Sequence, residues 1–343
     1  MALALAAPAG LFSCSPGRGK SPLPAWTWYV AGKDRRKIKK DLALFGRMGF
    51  EGIHFQGSDE IVAWAAPLAR KEGLRIHRWI ITLMSRDKKI MKEHPDWFVV
   101  SREGKSSFDH PPYVPYYKWL CPNHEGVVRH LEERVRDTAR IDGVEGVHLD
   151  YIRFPDVILP KGLWKKYDIV QDMEYPQYDF CYCDVCRGRF REEHGIDPLD
   201  LPDPSADNAW RQFRYDSITR LVKHLYEVAH REGKQLTAAV FPTPSIARRL
   251  VRQAWDQWTL DAVFPMIYHN FYEKDIDWIG DAVQEGQQAL QGRFPLYAGL
   301  FVPAIPPERI TEAVRQSRMN GADGICLFRY SVMNEKHWEN FLV

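Results

Sequence analysis

The sequence has 343 residues and lacks any apolar run of the roughly 18 residues that cross a bilayer, so no segment reads as a membrane-spanning helix. Charge of one sign is also missing. Lys and Arg total 47 against 45 Asp and Glu, a net charge of +2 that gives no electrostatic case for a nucleic-acid partner. The short basic clusters at 33–40 and 86–89 read as solvated faces. No glycine-rich phosphate loop follows the first apolar run, where Val30-Ala31-Gly32-Lys33-Asp34 offers only a weak turn. That counts against a doubly wound nucleotide fold, and no organic cofactor is expected. Histidines never recur at H-x-H or H-E-x-x-H spacing, which disfavours a catalytic metal held by His54, His77, His148 and His269.

What is present is a large apolar fraction, 45%, enough for a substantial core. Aromatics reach 13%, including 12 Trp and 15 Tyr, and flat rings with a polar tip suit sugar faces. Short apolar runs at 25–30, 51–56, 74–83, 146–155, 235–241, 261–269, 294–302 and 324–330 read as strands. Helical periodicity separates them, at 34–48, 61–72, 125–140, 216–232, 245–258, 275–290, 307–320 and, briefly, 335–342. Ser245 is the expected N-cap of the fifth helix. Eight strands alternating with helices predict an α/β (β/α)₈ TIM barrel over 25–343, with a doubly wound sheet as runner-up. Two long insertions, at about 84–124 and 155–210, interrupt the pattern after strands three and four. Residues 1–24 form a signal-like segment and linker. Leu11-Phe12-Ser13-Cys14 approximates a lipoprotein box, so an exported protein, periplasmic, secreted or lipid-anchored, is expected.

The stretch Gly146-Val147-His148-Leu149-Asp150-Tyr151-Ile152-Arg153-Phe154-Pro155 organises the functional argument. Alternate strand residues share a face, so His148, Asp150 and Ile152 point one way. A carboxylate closing an apolar strand is costly to bury without partners, which makes Asp150 the first candidate for chemistry. In such barrels the active site lies at the C-terminal strand ends. His54 and Gln56 fall there on strand two, His77 and Trp79 on strand three, Tyr268 and His269 on strand six, and Arg329 on strand eight. Arg153 follows strand four and Glu273 follows strand six. Both insertions are rich in aromatics, such as Tyr113, Tyr116, Tyr117, Trp164 and Tyr167, that can wall a cleft.

Cys181, Cys183 and Cys186 form a C-x-C-x₂-C cluster in the second insertion, and Cys121 lies in the first. Four thiolates suffice for a closed structural zinc site that staples the insertions. Disulfides are the alternative that export would permit. His124 is a substitute ligand should Cys121 point away, and Cys326 reads as a small core residue.

GVHLDYIRFPD, with the preceding LCPN of residues 120–123 and the strand-six segment FPMIYHNFY, resembles the bacterial glycosyl-hydrolase-like family 10 of (β/α)₈ proteins. CYCDVCRGRF is similar to the zinc loop that follows strand four of family-42 β-galactosidases. Those enzymes carry Asn-Glu at the end of strand four, where this chain has Leu149-Asp150, so their mechanism is not expected to transfer. The resemblance implies a barrel whose strand-four Asp is the nucleophile. Glycoside cleavage then needs a second carboxyl as acid, for which Glu273 is the first choice and Asp156 and Glu174 are rivals. The expectation is a glycoside hydrolase acting on a polysaccharide or glycan. Trp28 and Trp79 would stack on sugar rings, while His54, His148, Arg153, Tyr268 and His269 would bind hydroxyls. A carbohydrate-binding barrel without catalysis is the alternative. Oligomeric state is silent in the sequence.

Overall fold

A computed structural model describes residues 23–341. The signal-like and lipoprotein-box readings, with Cys14, lie outside these described residues. Eight strands form one parallel sheet: β1 (Ala25–Val30), β2 (Phe50–Gln56), β3 (Arg75–Ile81), β4 (Gly146–Asp150), β5 (Gln235–Val240), β6 (Ala262–Pro265), β7 (Tyr297–Phe301) and β8 (Gly324–Phe328). Neighbours pair in the order β6-β5-β4-β3-β2-β1-β8-β7. Parallel bridges Val263 to Leu296 and Met266 to Gly299 join the two ends, so the sheet closes into the expected barrel. Gly299 is required at this seam, because a Cβ there would sit 2.6 Å from the Pro265 carbonyl oxygen and 3.0 Å from the Trp28 ring.

Strand alternation sorts the side chains into two cores. Odd residues of β1 and β4, such as Tyr29, Val147 and Leu149, join the large layer between sheet and helices. The alternate residues of each strand point down the barrel axis, where Trp26, Trp28, Trp79, Ala239, Phe264 and Cys326 fill the lumen. Cys326 is thus the small core residue expected of it.

Several boundaries differ from the sequence reading, each for a local reason. β6 ends at Pro265, which supplies no N–H to the ladder, and His269–Tyr272 winds into a 3₁₀ turn. The helix expected at 245–258 is Pro244–Val251; Arg252 takes a left-handed φ of 53° and ends it. Its N-cap is Thr243, whose hydroxyl accepts from Ile246 N, not Ser245. The helix expected at 216–232 begins earlier, as Asn208–Arg231, because Asp207 caps it by accepting from Trp210 N.

Candidate active site

Both insertions fold over the C-terminal end of the barrel and enclose a cleft of about 830 Å³. β4 delivers Asp150 to its floor, where the residue is 8% exposed. The chain turns sharply at once, with Tyr151 in the left-handed region at φ 55°. For a bulky residue that conformation costs about 1 kcal/mol or more. The turn aims the Tyr151 N–H at Asp150 Oδ1, 2.7 Å away. Trp79 Nε1 donates to the other oxygen, Oδ2, at 3.0 Å. Burial pushes the Asp150 carboxyl up to about 6, against the opposing pull of these two donors and of the Arg153 charge.

Arg153 is packed between the rings of Trp119 and Phe241, each 4.8 Å from its guanidinium carbon. Its Nη1 donates to Asp156 Oδ2 at 3.1 Å, and its Nη2 donates to the Tyr117 hydroxyl at 2.8 Å. The Tyr117 hydroxyl in turn donates to Asp156, closing a triangle of three side chains. Among the described residues, the carboxylates on the cleft wall are Asp87, Asp150 and Asp156. Asp87 caps the helix Lys88–Glu93, accepting from Lys89 N and Ile90 N.

Trp28, Gln56, Trp79, Asp150, Arg153 and Tyr268 therefore reach the cleft as the strand pattern predicts. The two indoles contribute rims rather than open platforms, since Trp28 is 3% and Trp79 8% exposed. The strand histidines do not reach it. His54 and His148 lie below the floor in the lumen, fully buried and stacked with ring centroids 3.5 Å apart. Trp28 Nε1 donates to His148 Nε2 at 2.9 Å, which leaves the imidazole proton on Nδ1, 2.9 Å from the Thr237 hydroxyl. His77 Nδ1 lies 3.3 Å from the same hydroxyl. Two residues of strand spacing separate His148 from Asp150, and that rise puts one in the core and the other at the surface of the cleft.

Glu273 is also displaced. β6 stops short of it, and its side chain, half exposed, pairs with Lys161 at 3.0 Å outside the cleft. Buried His269 and exposed Arg329 are likewise off the cleft wall. Glu174 pairs with Arg252. Of the three candidates for the second carboxyl, the structure brings only Asp156 to the cleft. Strand-end Phe301 and Phe328 and the loop residue Tyr151 also line it. Their positions at strand exits were readable, but phenylalanine and tyrosine there carry no signal that separates wall from core.

Cys121, Cys181, Cys183 and Cys186 bring their Sγ atoms within 4.8 Å of one another. Cys121 Sγ lies 3.5 Å from Cys186 Sγ and 3.6 Å from Cys183 Sγ. None of the four is in a disulfide. Thiolates at about 2.3 Å from a tetrahedral ion stand about 3.8 Å apart, so the donor set fits a metal. Val100 N and Asn123 Nδ2 point at Cys181 and Cys186 sulfurs, at 3.4 and 3.3 Å, as donors to thiolate ligands do. His124 instead caps the helix Glu125–Ala139, its Nδ1 accepting from Gly126 N at 3.2 Å.

No family model matches the sequence, and no curated protein does. Solved structures match the fold. A β-galactosidase from the psychrophilic Marinomonas ef1 superposes with a TM-score of 0.62 at 9% identity, covering 93% of this chain and 58% of that one. Gan42B, a GH42 β-galactosidase from G. stearothermophilus, gives 0.61 at 10% identity, over 93% of this chain and 55% of that one. A β-N-acetylhexosaminidase from Bacteroides fragilis gives 0.54 at 10% identity, over 94% and 65%. The chain thus spans little more than half the length of the first two. The likeness is one of barrel fold, and no family model supports the finer resemblance to glycosyl-hydrolase-like family 10.

Proposed function

We propose that this protein is a glycoside hydrolase whose cleft binds a glycan and whose bond cleavage centres on Asp150. The observation that carries the reading is a carboxyl at the floor of an aromatic-walled cleft, held by two N–H donors and not neutralised by an ion pair. That the solved barrels of similar fold are galactosidases and a hexosaminidase supports the same class.

The environment of Asp150 favours proton delivery over the nucleophilic role implied by the motif resemblance. Burial raises its proton affinity in spite of the Trp79 and Tyr151 donors, so it suits protonation of the leaving glycosidic oxygen. Asp156, ion-paired with Arg153 on the same cleft, then supplies the second carboxylate. The cysteine cluster is read as a zinc site of structural type, since four thiolates leave no open coordination position.

The test is product analysis on a panel of bacterial, plant and host glycans. Asp150→Asn and Asp156→Asn should each lower turnover by about 10²-fold or more, while Glu273→Gln should leave it within about twofold. Unchanged turnover in Asp150→Asn would remove the proposed role of Asp150. Glycan binding with no product would favour the non-catalytic barrel.

A further inference from the structure

The cleft wall carries more than one arginine, and they are held differently. Arg153 is matched by Asp156. Arg86 and Arg134 form no ion pair with any described carboxylate. Arg134 projects from the helix Glu125–Ala139 and donates only to the Ile81 carbonyl, through Nη1. Its Nε and Nη2 have no hydrogen-bond partner among the described residues. Arg86 lies in the first insertion, with its guanidinium carbon 4.2 Å from the ring centre of the exposed Tyr116. His130, one turn before Arg134, lines the same region.

Arg86 is exposed and Arg134 half-buried, and a cation on a cleft wall with no counter-charge attracts an arriving anion. Desolvation weakens Arg134's hold on its proton, with the charge of Arg78 acting the same way and Asp87 and Asp59 opposing. Arg78 is itself paired with Asp59 at 3.2 Å. Asp87 is engaged by two backbone N–H groups at the helix start. The carboxylates that act on Arg134, Asp87 and Asp59, are thus both already engaged, and Arg86 has no ion-pair partner among the described residues. An anion arriving with the ligand would supply the missing partner, and a planar arginine fork matches a carboxylate through two parallel N–H donors.

Resting on the glycosidase reading of the cleft, we propose that Arg86 and Arg134 form a subsite for an acidic sugar. The group they take is the carboxylate of a uronic-acid residue in the glycan, with Tyr116 as the exposed ring beside it. Neutral sugars occupy the rest of the cleft, towards Asp150.

Calorimetric titration of the full chain with three length-matched probes tests this: an oligogalacturonate, a sulfated κ-carrageenan oligosaccharide and a neutral galacto-oligosaccharide. At low salt the oligogalacturonate should bind about tenfold or more tighter than the neutral probe. Salt should narrow the difference. Arg86→Gln combined with Arg134→Gln should bring its affinity down to the neutral level and leave the neutral probe within about twofold. Tighter binding of the sulfated probe than of the oligogalacturonate would overturn the carboxylate assignment. Equal binding of acidic and neutral probes, or a preference that survives the double variant, would overturn the subsite while leaving the glycosidase reading intact. Failure of all three probes at millimolar concentration would overturn the uronic-acid subsite, while the glycosidase reading is decided separately by product analysis on the wider glycan panel.

Discussion

At the scale of single residues, Asp150 and Asp156 show how one cleft gives two carboxyls different surroundings. Asp156 faces a guanidinium at 3.1 Å, whereas Asp150 accepts only from the Tyr151 N–H and the Trp79 indole. Burial raises Asp150 to about 6. A proton donor must be protonated to act, so an acid role makes kcat/KM fall as pH rises through about 6. At pH 7 only about a tenth of the enzyme would carry that proton. A nucleophile must be ionised, and the same carboxyl in that role would make activity fall on the acid side of 6. A pH–rate profile of kcat/KM on any cleaved glycan separates the two, and the alkaline limb near 6 is the expected result. Trp79→Phe removes a donor that stabilises the ionised form, so it should move that limb to higher pH.

At the scale of elements, the cleft walls are the two insertions, and these have little regular structure of their own. Short bridges tie them together, Ser101 to Phe180 across the insertions and Phe98 to Leu120 within the first. A buried pair, Arg214 with Asp179, anchors the second insertion to the helix Asn208–Arg231. The four cysteines add a further tie, from the end of the first insertion to the start of the helix Asp184–His194. About one zinc per chain is expected by elemental analysis, lost in Cys183→Ser and kept in His54→Ala. Proteolysis should then cut the insertions of Cys183→Ser well before the barrel. Metal retained by Cys183→Ser would show that the cluster does not hold it. The gathering of the four cysteines was legible in the sequence because C-x-C-x₂-C brings its own geometry with it. The barrel was legible for a similar reason: eight apolar runs separated by helical periodicity leave few alternatives. Glu273 shows where such reading stops. Its placement depended on where β6 ended, and Pro265 ended it early, so the chain turned the carboxylate out to Lys161. Asp156 was visible only as a rival, because Tyr117, which closes its triangle with the neighbouring Arg153, comes from the first insertion and meets it only in the folded chain.

At the scale of the whole molecule, the barrel lumen is built partly from imidazoles, and that sets a limit on its stability in acid. His54, His77 and His148 are each 2% exposed or less and are joined through stacking and the Thr237 hydroxyl. Burial holds His77 down at about 3, with Arg75 adding to the effect. Burial likewise pushes His54 and His148 well below the ordinary histidine value, reinforced by the neighbouring histidines. The folded protein therefore keeps these rings neutral while the unfolded chain protonates them below about 6.5. The unfolded state binds more protons in that window, so stability is full above about 6.5 and falls as pH drops. Each ring contributes about 1.4 kcal/mol per pH unit, or about 4 kcal/mol for three between pH 7.5 and 5.5. Asp150 works in the opposite sense between about 6 and its ordinary value, but as one group against three. Urea unfolding at pH 7.5 and 5.5 should show a fall of that order in the free energy of unfolding. Substituting His77→Gln, which keeps a hydrogen-bonding side chain but cannot take up a proton in this range, should reduce the slope by about a third. A free energy of unfolding that stays level from 7.5 to 5.5 would mean that the lumen accepts charge, and the neutral imidazole stack would then have to be abandoned.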